Sequence, residues 1–185
     1  MKNIHIVTIT DGNINSLNLT LKSIDKQKYK NYKNLIISKV KLKALGKRFR
    51  NAKRIFYYKK NGSIYEAMNL GLKKSESKYL IFLNAGDAFA SKSSLQKISK
   101  IINNNNKSKS CLMLISILKN NKDYFIPKKK TFFSKDFLTH SSFIRPEIKK
   151  DLGFNVKNQV TAEGLWMKNN IKKFNIKKIY SVLTI

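Results

Sequence analysis

Asp87 follows directly on the unbroken apolar run Tyr79 to Leu83 and the turn Asn84-Ala85-Gly86, in a chain with only 10 acidic residues. A carboxylate there could hold Mg²⁺ or Mn²⁺, hard cations that bridge nucleotide phosphates and offset the charge developing on a leaving diphosphate. The same Asp could instead close a turn onto its own backbone. Asp11 is a second carboxylate placed just after an apolar run, Ile4 to Thr10. His140 stands alone on the apolar stretch Thr139 to Ile144, where a satisfied structural histidine competes with a ligand. Glu163 could be a surface residue in the first turn of a helix, where the macrodipole favours an anion. The single cysteine, Cys111, has neither a cysteine partner nor a metal-ligand spacing and reads as a core residue of the run Cys111 to Leu118.

These residues need elements to hold them. The run Ile4 to Thr10 predicts a strand, broken by Asp11-Gly12-Asn13. Leu17, Leu21 and Ile24 then recur at helical spacing, with Asn15 or Ser16 as the cap. Leu35 to Ile37 and Ile55 to Tyr58 predict two more strands, separated by a basic segment. Ser63 caps a helix whose Ile64, Met68 and Leu72 share one face with the small residues Ala67 and Gly71. Tyr79 to Leu83, apolar without alternation, has the pattern of a strand covered on both faces. Further on come a helix from Ser94, strands at Cys111 to Leu118, Tyr124 to Ile126 and Thr139 to Ile144, a short helix between Pro146 and Gly153, a helix carrying Leu165 and Trp166, and a strand at Ile179 to Leu183. Strands alternating with helices predict an α/β domain with a mainly parallel, Rossmann-like sheet flanked by helices. Ligands of such sheets bind beyond the carboxyl ends of the strands, the edge where Asp11 and Asp87 fall.

At 185 residues with 42% hydrophobic content, the chain is sized for one domain with a real core. It contains no apolar run of roughly 18 residues and reaches Asp11 before any signal-like segment develops, which predicts a cytoplasmic protein. The net charge of +29 directs attention to anionic partners. The excess is almost all Lys, spread along the chain, whereas a dedicated reader of phosphates and bases would favour Arg. The pattern reads as a compositional bias that gives a solvated basic surface, with some peripheral attraction to anionic lipid at the inner face of the membrane, and disfavours nucleic-acid binding.

The segments Ser63-Ile64-Tyr65-Glu66-Ala67-Met68-Asn69-Leu70-Gly71 and Tyr79-Leu80-Ile81-Phe82-Leu83-Asn84-Ala85-Gly86-Asp87-Ala88-Phe89 resemble the central signature of family 2 glycosyltransferases. Weaker similarities keep the family's order: Val7 to Thr10, His140 to Phe143, and Ala162 to Trp166. The resemblance implies a GT-A-like domain over 1–185, with a nucleotide-sugar-binding half at 1–90 and an acceptor-binding half at 91–185. It also implies an inverting transferase that moves a sugar from a nucleoside diphosphate sugar to a glycan or lipid-linked acceptor in surface polysaccharide biosynthesis. On this resemblance Asp87 holds the divalent cation and Asn84 takes the first position of the D-x-D-like motif. Thr8, Thr10, Asp11, Glu66, Asn69 and Asn84 line the donor site, His140 contacts the diphosphate or metal, and Glu163 is the general base. Many members of the family continue into a tail that contacts acceptor or membrane, so a partner chain could complete the protein.

Three departures qualify the resemblance, the first being Asn61-Gly62-Ser63 where the family commonly has D-K-G. The acidic segment expected after the second strand, which recognises the nucleoside, is replaced by Ile37-Ser38-Lys39-Val40, and no acid occurs from Lys26 to Ser63. Glu66 stands where the family has Asp. A catalytically degenerate binding or assembly protein is therefore the alternative. A basic nucleic-acid-binding protein with Tyr57 and Tyr58 as stacking residues is the third reading.

Overall fold

The computed structural model describes residues 4–45, 49–77, 79–104, 110–115, 118–120, 123–125, 143–144, 153–157, 162, 165 and 175–180. The central sheet is built from β1 (Ile4–Thr10), β2 (Tyr32–Ser38), β3 (Arg54–Tyr58), β4 (Tyr79–Phe82) and, farther along the chain, β8 (Phe143–Ile144). Its order is β3-β2-β1-β4-β8. The first four strands run parallel, and β8 is antiparallel to β4. This is the predicted mainly parallel sheet.

Period-two alternation along the strands loads both faces. Ile4, Ile6, Ile36, Ile81 and Leu83 pack with Leu17, Leu21 and Ile24 of helix α1 (Ile14–Asp25) and Leu95 and Ile98 of helix α4 (Ser94–Asn104). Val7, Ile9, Leu35, Ile37, Leu80 and Phe82 pack on the other face with Met68 and Leu72 of helix α3 (Ile64–Lys74). Every residue of β1 and β4 is buried, as expected of strands covered on both sides. Each buried Leu, Ile or Phe contributes about 1.5–3 kcal/mol by leaving water, so the central strands anchor the fold. Gly71 lets α3 sit directly on β1: a Cβ there would lie 2.5 Å from Cγ1 of Val7.

The structure adjusts several expected boundaries. The first helix is capped by Asn13, whose side chain accepts from Ser16 N, so it begins two to three residues earlier than the Asn15 or Ser16 cap implied. Strand β2 starts at Tyr32 because Asn34, polar in an otherwise apolar strand, satisfies its Nδ2 inside the sheet on Ile6 O and Thr8 Oγ1. The basic segment contains a short helix, α2 (Leu42–Leu45), that apolar spacing did not signal. The run Cys111 to Leu118 is not one strand: β5 covers Ser110–Ile115, whereas Leu118 opens β6 (Leu118–Asn120), which pairs with β7 (Asp123–Phe125). Strand β5 pairs instead with β9 (Asn175–Tyr180), which begins before the expected Ile179. The helix expected after Pro146 falls outside the described residues, and of the helix expected at Leu165 and Trp166 only Leu165 is described, helical as is Ala162 before it.

Candidate functional site

Four parallel strands end together, and the loops that follow enclose a cleft of about 310 Å³ at their carboxyl edge. The loop after β4 continues the ladder: Leu83 N donates to Val7 O and Ala85 N to Ile9 O, each at 2.9 Å, which sets Asn84 near Thr10. The turn after β2 is held to β1 by Lys39 N donating to Thr10 O at 3.1 Å, and the chain after β3 to β2 by Lys59 N donating to Ser38 O at 2.9 Å. Backbone bonds thus align all four edges before any side chain takes part.

On the β1 and β4 side, Thr10, Asp11, Asn84 and Ala85 line the cleft. Asp11 Oδ1 accepts from Asn13 N at 2.9 Å and so shapes the turn into α1 while remaining exposed. Asp87 lies beside the cleft without lining it. Its amide donates to Asn84 O at 3.0 Å, and its carboxylate Oδ2 is shielded from solvent. A buried hydroxyl organises this loop. Thr20 of α1, wholly inaccessible to solvent, accepts from Gly86 N at 2.9 Å, and its own proton has its shortest acceptor in Asp87 O at 2.7 Å, ahead of Asn84 O at 3.1 Å. Gly86 has φ of +108°, a conformation open to glycine at little cost, and that geometry lets the chain turn back onto Thr20.

On the β2 and β3 side stand Ser38, Lys39, Lys59, Asn61 and Ser63. Ser38 Oγ donates to Val40 O at 2.7 Å and accepts from Val40 N at 3.1 Å, closing a tight turn on itself. Val40 packs over Gly12, where an added Cβ would lie 2.8 Å from Val40 Cγ1. Lys59 Nζ pairs with Glu66 Oε2 at 2.9 Å across the mouth of the segment 59–63. That hydrogen bond and the lysine's charge hold the Glu66 carboxyl below its usual range. Ser63 caps α3 by accepting from Glu66 N.

The expected site residues therefore divide. Thr10, Asp11 and Asn84 meet at one cleft, with Asp87 adjacent and Glu66 tied to the cleft residue Lys59. Thr8 is buried within the sheet, its hydroxyl accepting from Asn34 Nδ2 at 2.9 Å. Asn69 clamps a distant loop, donating to Phe154 O at 2.9 Å and accepting from Phe154 N at 2.7 Å. His140 and Glu163 lie outside the described residues. Thr20, Lys39 and Lys59 were not singled out from sequence. The signal for Thr20 was a hydroxyl on the same helix face as Leu17, Leu21 and Ile24; the lysines carried none in so basic a chain.

Among the described residues no group of three His, Cys, Asp or Glu could hold a metal ion. Asn84 Oδ1 is, however, buried and accepts no hydrogen bond. One carboxylate and one amide oxygen fit the way Mg²⁺ and related hard cations bind, through one or two protein oxygens with substrate phosphates and water completing the shell. Among the described residues no helix is long and apolar enough to cross a membrane.

The family model for glycosyl transferase family 2 matches residues 5–164. Among solved structures, S. aureus TarS 1-349 in complex with UDP is similar with a TM-score of 0.79 at 15% identity, covering 98% of this chain and 59% of that one. The same TarS fragment with UDP-GlcNAc gives 0.80 at 14% identity, covering 98% and 57%. The mannosyltransferase PcManGT from Pyrobaculum calidifontis, in complex with GDP-Man and Mn²⁺, gives 0.72 at 10% identity, covering 98% and 56%. This chain thus spans less than two thirds of each. A comparison with the curated proteins found no match.

Proposed function

We propose, because this chain belongs to glycosyl transferase family 2, that it transfers a sugar from a nucleoside diphosphate donor to an acceptor hydroxyl, using the cleft at the carboxyl edge of its sheet. The observation that carries the reading is the convergence of Thr10, Asp11 and Asn84 on that cleft, with the Asp87 loop fixed beside it by the buried Thr20 hydroxyl. Structural neighbours captured with UDP, UDP-GlcNAc or GDP-Man support a nucleotide-sugar donor, and the Mn²⁺ in one of them supports a divalent cation.

Asp87 and Asn84 would hold that cation, whose chemistry is to neutralise charge gathering on the leaving diphosphate. Asp11 and Thr10, on the neighbouring strand edge, orient the nucleoside side of the donor. The acceptor hydroxyl attacks the anomeric carbon from the face opposite the diphosphate and loses its proton to a carboxylate, with inversion. Glu163 is the candidate for that base and His140 for a further contact to the diphosphate. Thr8 and Asn69 act beneath the site, one within the sheet and one in holding the loop at Phe154. Residues 1–90 form the donor half in this reading and 91–185 the acceptor half. The acceptor is a glycan or a lipid-linked sugar of surface polysaccharide synthesis, made at the cytoplasmic face of an anionic membrane to which the charge of +29 draws the protein.

Calorimetric titration of UDP, GDP and dTDP with and without Mn²⁺ tests this. Metal-dependent binding of at least one nucleotide, lost in Asp87→Ala, is expected. One observation favours a second reading: no carboxylate stands at the ends of β2 and β3, where two lysines line the cleft. Failure of every nucleotide to bind at millimolar concentration would make the protein a glycosyltransferase-like binding or assembly partner.

A further inference from the structure

We infer that Lys39 sets base specificity by selecting nucleotides whose base presents a carbonyl oxygen rather than an amino group at its outer edge, an inference that rests on the donor-site reading above. The strand order supplies the geometry. If the phosphates lie at the end of β4, the base lies toward β2, since neighbouring strands are about 4.8 Å apart and two steps cover about 10 Å. At the ends of β2 and β3, Ser38, Lys39, Lys59, Asn61 and Ser63 line the cleft; Lys39 and Lys59 are the cations among them, Ser63 caps α3, and two more are already engaged. Ser38 Oγ is closed onto Val40, and Lys59 Nζ is paired with Glu66. Lys39 makes no ion pair or side-chain hydrogen bond among the described residues, and its side chain is exposed.

Its backbone is nonetheless fixed. Lys39 N is bonded to Thr10 O, the turn beside it is closed by Ser38, and Val40 packs on Gly12. The ammonium therefore works from a rigid base through a flexible stem. An ammonium donates three hydrogen bonds and accepts none, the opposite of a carboxylate. Set against a pyrimidine, it satisfies the 4-oxo group of uracil or thymine and meets only donors at the 4-amino group of cytosine. Set against a purine, it satisfies guanine O6 and rejects the adenine amino group. A charged hydrogen bond at a solvent-exposed position contributes near the low end of its range, about tenfold in affinity.

Titration of UDP against CDP, and of GDP against ADP, in the presence of Mn²⁺ isolates the effect, because the two members of each pair carry the same phosphates. The native protein is expected to prefer the oxo base by about tenfold in the pair that it binds. Lys39→Met should bring that ratio close to one with little change for CDP or ADP, and Lys39→Glu should reverse it. A native ratio near one overturns the inference, as does a Lys39→Met variant that weakens both members equally, which would mark Lys39 as a phosphate contact. Should both members bind in a manner that requires Asp87 yet ignores Lys39, the inference alone falls. If no nucleotide binds the native protein, the donor-site reading falls with it. Lys39 is exposed and its side chain supports no contact in the core, so both variants retain the fold, as circular dichroism would verify.

Discussion

The two sides of the cleft are built by different physics. On the β1 and β4 side the strands are wholly buried, and the loop carrying Asn84 and Asp87 is fastened from beneath by the buried Thr20 hydroxyl. On the β2 and β3 side the fastening is the buried Ser38 hydroxyl, whose bonds stay within its own turn, and a half-exposed Lys59 to Glu66 pair. A polar group that is buried and bonded is costly to disturb, whereas exposed ion pairs contribute little. The first side should therefore be rigid and inseparable from folding. The second side can be altered residue by residue, which is where a chain can change what it recognises without losing its fold.

Thr20→Val should break that contrast most severely. It keeps the shape of the side chain but removes the hydroxyl's bonds to Gly86 N and Asp87 O, leaving Gly86 N with its longer bond to Ser16 O at 3.2 Å, at a cost of about 1–3 kcal/mol. Thermal denaturation should show a midpoint several degrees lower, and Thr20→Ser should recover most of it. An unchanged midpoint for Thr20→Val would mean that the loop is not held from below. Gly71→Ala is expected to cost a comparable or slightly smaller amount, about 1–3 kcal/mol, because its Cβ would collide with the stiff Val7 side chain under the same strand. Combining it with Val7→Ala tests the mechanism: the two costs should then be less than additive.

On the opposite side, Ser38→Ala should cost only about 0.5–1.5 kcal/mol, since it removes bonds within one turn and leaves the ladder intact. Chemical denaturation curves for Ser38→Ala and Thr20→Val, compared directly, rank the two sides, and equal losses would erase the distinction. Glu66→Gln should have the smallest effect on stability, and its signature is pH dependence. The folded-state pKa of Glu66 is lowered, so its pair with Lys59 stabilises the protein above the usual carboxylate range and is lost as pH falls through the lowered value. The difference in melting temperature between native protein and Glu66→Gln should be present at neutral pH and vanish in acid. A difference that grew on acidification would show that Lys59 is not the partner that matters.

The same contrast explains what could be read in advance. The strands at Ile4 to Thr10 and Tyr79 to Phe82 and the helices after Asn13 and Ser63 carried their periods openly, and the resemblance of the Ser63 to Gly71 and Tyr79 to Phe89 segments led to the family. Boundaries slipped where polar residues were satisfied by tertiary partners. Asn34 lengthened β2 because Thr8 and Ile6 accept its amide protons, and Asn13 took the cap from Asn15 and Ser16. Asp11 and Asp87 could be placed on one edge from the strand pattern alone, and the structure puts Asp11 at the cleft and Asp87 beside it, whereas Thr10 and Asn84 were pointed to by the resemblance.

Sequence by itself thus determined the α/β alternation, the faces that turn inward, and the carboxyl edge as the place for chemistry, because periodicity and strand ends are local properties of the chain. Only the tertiary structure decided which polar groups meet. Thr20 finds its partners 64 to 67 positions away, and Lys39 and Lys59 join Asp11 around one cleft although nothing local distinguishes them from the other basic residues. A periodic pattern tells a residue which way to face, but a hydrogen bond or a charge at a cleft depends on what another part of the chain brings opposite it.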